Sequence, residues 1–111
     1  MPMATTYPPT SPTRAELDQS QGPLLVEFGA TWCGICQALQ PVIVKALREH
    51  PELPHIKVGD GRGQPLGRTF GIKLWPTLIA LRDGREVARL VRPTSHGPIL
   101  SMLASLDAQS R

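Results

Sequence analysis

The only two cysteines of the chain, Cys33 and Cys36, stand three positions apart in the stretch TWCGIC, residues 31 to 36. Two thiols at this spacing can form a structural staple, half of a metal site or a redox couple. A bridge between them closes a very short loop. Loop-closure stabilisation grows with loop length, so a staple here would constrain the unfolded chain least. Structural zinc commonly takes two cysteine pairs, or a cysteine pair with a histidine pair. There is no second cysteine pair. His50 and His55 are separated by Pro51 and Pro54, which break any helical face, and His96 stands alone. All three histidines read as solvated surface residues. A metal site shared between two chains is the remaining alternative, and the redox couple fits best.

A redox couple needs its thiols held at one place with different exposure. The run LLVEF, residues 24 to 28, is apolar with one charge, as a buried strand is. Beyond the thiols, Leu39, Val42, Ile43, Ala46 and Leu47 recur at helical spacing and predict a helix from about Gly34 to His50, kinked at Pro41. Cys33 then falls at the helix N-terminus and Cys36 one turn further on. Residues three apart on a helix are neighbours, so the sulfurs can bond and part with little backbone movement. Unpaired N–H groups and the helix dipole favour negative charge at Cys33, the expected exposed thiolate. Cys36 should lie deeper and stay protonated longer. The first thiol attacks and the second resolves. Gly34 leaves space for a substrate chain to approach.

The flanking elements complete a frame. Residues 1–12, rich in Pro, Thr and Ser, read as a flexible tail in which Thr5 to Tyr7 could add a short edge strand. A domain is expected over 13–108. Ser11 or Thr13 can cap a helix through about Ser20. HIKVG (55–59) reads as a strand, and a short helix can start near Pro65. TLIAL (77–81) and EVARL (86–90) flank Asp83-Gly84, a pair suited to a tight hairpin. Ile99, Leu100, Met102, Leu103 and Leu106 mark a last helix. Strand, long helix and strand imply a right-handed parallel crossover, and the hairpin adds an antiparallel edge. The fold class is α/β, in three α/β/α layers around a mixed central sheet of about four to five strands.

Composition narrows the partners. A chain of 111 residues with 41% hydrophobic residues suits one domain with a real core. No run of about 18 apolar residues occurs, so no membrane partner is expected. The N-terminus lacks a basic start followed by an apolar stretch, which points to the cytosol, where thiols stay reduced. Net charge is +3, and Arg82, Arg85, Arg89 and Arg92 are interrupted by Asp83 and Glu86. They read as a solvated face, with no nucleic-acid partner.

A CxxC pair alone is a weak signal, but VEFGATWCGIC, Pro41, FGIKLWPT and LRDGREV follow in order a wider pattern. From about residue 22 to 107 the chain resembles the thioredoxin family. The resemblance implies a thiol–disulfide oxidoreductase that needs no bound cofactor and no metal. It implies protein disulfide substrates and a reductase or other electron donor, and the chain is read as a monomer. Pro76 matches the family's cis-proline facing the active-site disulfide, with backbone groups open to pair with a substrate strand. Glu27 takes the place of a buried acid behind Cys36. Such a carboxyl in an apolar strand is expected to have a raised pKa and to accept the Cys36 proton, with Lys57 as its partner. If its partners are imperfect, it should also cost stability. Trp32, Gly34, Ile35, Trp75, Pro76 and Arg92 are the expected substrate-binding residues.

Three positions depart from the family pattern. Ile35 stands where proline is usual between the cysteines, a place that helps set the reduction potential. Trp75 replaces a smaller aliphatic residue, and Arg92 replaces a glycine that lets partners approach. Both crowd the docking surface and weigh against general thioredoxin partners, including the usual flavin reductase. Arg92 could instead favour acidic partners. The rival to a disulfide reductase is an interaction or accessory module that keeps the fold and uses the cysteines little.

Overall fold

A computed structural model describes residues 6–61 and 63–108. The element order is α1 (Arg14–Asp18), β1 (Pro23–Gly29), α2 (Gly34–Leu47), β2 (His55–Gly59), α3 (Leu66–Thr69), β3 (Thr77–Arg82), β4 (Arg85–Val91) and α4 (His96–Ala108). Among the described residues the sheet has four strands in the order β2-β1-β3-β4. β1 and β2 are parallel, with Glu27 opposite Lys57. β3 runs antiparallel to β1 and to β4. The α/β/α layering and the mixed sheet follow the expected fold.

Alternation along the central strands builds the two cores. Leu25, Leu78 and Ala80 pack with Ile43, Ala46 and Leu47 of α2 and with Ile99, Leu103 and Leu106 of α4. Val26, Phe28, Ile79 and Leu81 point the other way, onto Leu17, Leu66 and Phe70. Successive residues of a strand face opposite layers, so Glu27 shares the α2 side with Leu25.

Element ends depart from expectation for local reasons. The helix predicted to about His50 stops at Leu47, and Glu49 and His50 donate three residues back, to Ala46 and Leu47. Pro51 disfavours helical geometry at His50, so the chain tightens and leaves the helix. The first helix ends at Asp18 rather than about Ser20. Its cap is Thr13, reciprocated by Glu16 in a capping box. At the hairpin, Asp83 and Gly84 both have positive φ, 51° and 80°. A Cβ at Gly84 would strike the Asp18 carbonyl, so only glycine fits. Of the proposed tail strand, Thr5 lies outside the described residues, while Thr6 and Tyr7 belong to no strand. Tyr7 instead lies half-buried beside the thiols.

Candidate active site

Strand β1 ends at Gly29, and four residues later the chain enters α2 through Cys33. Cys33 is the N-cap, and its sulfur accepts the Cys36 amide at 3.1 Å. Both thiols are unbridged. A sulfur that accepts a helix N-terminal N–H is well placed to carry negative charge. It is not the exposed group expected. Cys33 is 8% exposed and Cys36 2%, because Ala30 and Trp75 close around the pair. Burial, together with the Cys33 hydrogen bond and the negative charge of Cys33 and Glu27, pushes the Cys36 pKa up to about 11. Cys36 is therefore the protonated partner, as expected.

The substrate-facing residues form a rim. Trp32 is 73% and Ile35 42% exposed. A Cβ at Gly34 would meet open space. The Trp32 and Trp75 rings meet edge to face at 5.1 Å, and Trp75 Nε1 donates to Asp60 Oδ2 at 2.8 Å. Trp75–Pro76 is a cis peptide bond. Its carbonyl is already engaged within the chain, since Arg92 Nε donates to Trp75 O at 2.7 Å, and Arg92 N donates to the next carbonyl, Pro76 O, at 2.9 Å. Arg92 adopts φ 50°, a conformation that favours glycine. Its head group is turned inward onto the backbone.

Behind Cys36 lies a polar network larger than the expected pair. Glu27 is fully buried. Its Oε2 accepts from Gln40 Nε2 at 2.6 Å and lies 3.7 Å from Lys57 Nζ, while Oε1 is 3.0 Å from His55 Nε2. Lys57 Nζ also donates to Gln40 Oε1 at 2.8 Å. Burial alone would raise the Glu27 pKa. The His55 hydrogen bond, the charges of Lys57 and His55 and the Gln40 amide outweigh it, and the pKa is lowered, contrary to expectation. An ionised carboxylate only accepts, so His55 Nε2 carries the hydrogen.

His55 is thus no solvated surface residue; it is 5% exposed. Its place two residues before Lys57 on one strand was the available signal, since both share a face. Gln40, four residues after Cys36 on α2, carried a similar signal. Three of the four hairpin arginines are engaged within the chain. Arg89 pairs with Glu86, Arg82 donates to Leu106 O and Arg92 to Trp75 O. Among the described residues no group of three or more His, Cys, Asp or Glu is arranged to hold a metal ion. No helix there is long and apolar enough to cross a membrane.

A dithiol at a helix N-terminus, set behind a central strand and beside a cis-proline, defines a thiol–disulfide oxidoreductase. The thioredoxin family model matches residues 10–105. The solved structure of thioredoxin 2 from Pseudomonas aeruginosa, in its reduced form, is 51% identical, with a TM-score of 0.86, covering 96% of this chain and 99% of that one. The thioredoxin of Chlamydia pneumoniae is 40% identical over 65% of this chain and 71% of its own. That of Mycobacterium tuberculosis is 33% identical over 78% and 76%. The chain belongs to the thioredoxin family, whose members are protein-disulfide oxidoreductases.

Proposed function

We propose that this protein is a cytosolic protein-disulfide reductase working through a Cys33/Cys36 dithiol–disulfide couple. The observation that carries the reading is the Cys33 sulfur capping α2, with Cys36 protonated behind it. The Cys33 thiolate attacks one sulfur of a substrate disulfide. A mixed disulfide forms, and the other substrate sulfur leaves with the electron pair and is protonated from solvent. Cys36 then gives up its proton and attacks Cys33 Sγ. The Cys33–Cys36 bond forms as the bond to substrate breaks, and the reduced substrate departs. The oxidised chain is re-reduced by a reductase or another electron donor, with no bound cofactor.

Glu27 relays the Cys36 proton toward solvent in this scheme and does not keep it, since its lowered pKa makes it a weak base. Taking that proton also removes a negative charge that opposes Cys36 ionisation. Lys57, with Gln40, holds the carboxylate in place. Trp32, Gly34, Ile35, Trp75 and Pro76 supply the substrate surface. Arg92 supports a narrow partner range, because its side chain occupies the Trp75 carbonyl.

The test is catalytic reduction of a protein disulfide with dithiothreitol as reductant. Wild type should turn over, Cys33→Ser should be inert, and Cys36→Ser should accumulate a mixed disulfide. An inactive wild type would instead favour an accessory module that keeps the fold.

A further inference from the structure

One polar group beside the thiols takes no part in the steps above. Tyr7 lies in the segment before α1, and its hydroxyl is buried without a hydrogen-bond partner. Two features fix its position. A Cβ at Gly29 would collide with the hydroxyl and come within 2.9 Å of Cys36 Sγ, so hydroxyl and sulfur share the notch that the glycine leaves. Lys57 Nζ stands 4.6 Å from the ring centroid and holds the ring through a cation–π contact. A cleft of about 250 Å³ opens beside them, lined by Tyr7, Thr31, Cys36, Gln37, Gln40 and Lys57.

A buried hydroxyl without an acceptor is unfavourable. It becomes favourable when an acceptor develops next to it. A neutral thiol accepts weakly, whereas a thiolate makes a charge-assisted hydrogen bond. The resting dithiol offers Tyr7 only the weak acceptor of the Cys36 sulfur, and ionisation of Cys36 turns that contact into a charge-assisted bond. We propose that the Tyr7 hydroxyl donates a hydrogen bond to the Cys36 thiolate as it forms, which makes the N-terminal segment part of the resolving step. This rests on the reading of Cys36 as the resolving thiol.

Proton balance is unchanged by this role. The Cys36 proton leaves by way of Glu27, the Cys36–Cys33 bond forms as the Cys33–substrate bond breaks, and Tyr7 keeps its own proton. Burial, negative charge on Glu27, Cys36 and Cys33 and the contact with the Cys36 sulfur drive Tyr7 ionisation well above its ordinary range, so the hydroxyl stays a donor. The titratable groups around the notch are Glu27 from β1, His55 and Lys57 from β2 and Cys33 at the cap of α2. Asp60, after β2, lines a second cleft along the other side of Tyr7. Of all these, only Tyr7 presents a neutral O–H to the sulfur.

Stopped-flow reaction with the symmetrical aromatic disulfide of thionitrobenzoate separates the two thiols. The first equivalent of thionitrobenzoate reports attack by Cys33, and the second reports attack by Cys36. Tyr7→Phe keeps the ring and removes the donor. The second phase should slow roughly tenfold near neutral pH, and its pH midpoint should rise by about one unit, with the first phase unchanged. Tyr7→Leu should give the same midpoint as Tyr7→Phe. An unmoved midpoint in Tyr7→Phe overturns the proposal even if the rate drops, because this variant keeps the ring and the burial of Cys36 and removes only the donor. A second phase that survives in Cys36→Ser would sink the reading of Cys36 itself, and the proposal with it.

Discussion

Three side chains keep a carboxylate ionised in a place that excludes water. Glu27 is fully buried, yet His55, Lys57 and Gln40 lower its pKa. This changes what a substitution should do. Glu27→Gln leaves Lys57, itself 4% exposed, without its counter-charge. Breaking a buried pair by removing one partner is strongly destabilising, so a loss on the order of 3 kcal/mol is expected, where a poorly partnered acid would have given none. Turnover should fall while mixed-disulfide formation by Cys33 persists; urea unfolding and a trapping assay check the two effects. The thiols differ by the same reasoning. With Cys36 pushed up to about 11, it stays a thiol at neutral pH, and Cys33 should alkylate faster. Mass-resolved alkylation that labelled Cys36 first would remove the assigned roles. The cysteines and Glu27 were legible because each is an odd residue in its setting, a lone thiol pair and a single charge in an apolar strand. His55 was not, because the prolines around it suggested a loop surface, while its environment is set by the parallel pairing of β1 with β2, which brings it to Glu27, 28 positions away.

Elements carry the next layer, and there the sequence spoke through local chemistry. HIKVG was read with its observed bounds, and Asp83-Gly84 formed the turn its φ angles require. Helix ends were less legible, since they depend on which residue stops the hydrogen-bond ladder. The end of β4 shows what local reading cannot supply. Arg92 was recognisable as a charge in a glycine's place, but the hydrogen bond its side chain makes was not. Its side chain lies on the Trp75 carbonyl, two elements away in sequence. Arg92→Gly should free that carbonyl and relieve the positive φ. The lost charged hydrogen bond and the relieved backbone offset one another, so stability should change by less than about 1 kcal/mol. Reduction of a protein disulfide should rise severalfold, and a small disulfide should react as before. Added salt should not change the rate in the same way, because the guanidinium is engaged within the chain; a slower reaction in the variant, mimicked by salt in wild type, would restore the view that Arg92 recruits acidic partners.

The whole molecule registers the site through its pH stability. Glu27 and Cys36 lie on the side of the sheet that packs against α2, so their protonation states are coupled to folding rather than to a surface. Glu27 has a folded pKa below its ordinary 4.5. Its contribution is present above that value and is lost as pH falls through the folded one, because the unfolded chain takes up the proton first. Cys36 has a folded pKa of about 11 against an ordinary 9.0. Between those values the unfolded chain has lost its proton and the folded chain has not, so stability declines as pH rises from 9.0 to about 11. The alkaline decline should amount to no more than about 2 kcal/mol, since water in the adjoining cleft screens part of the charge. The reduced protein should thus show a stability plateau with two flanks of different origin. Glu27→Gln should flatten the acid flank and shrink the alkaline one only in part, because the Glu27 charge is the smallest of the causes that raise the Cys36 pKa. Cys36→Ser should do the reverse, and so should oxidation of wild type, because a Cys33–Cys36 disulfide has no thiol to titrate. Urea midpoints across a pH series, for reduced and oxidised protein, separate these contributions. An alkaline flank that persisted unchanged in both the oxidised protein and Cys36→Ser would show that the buried thiol is not its source.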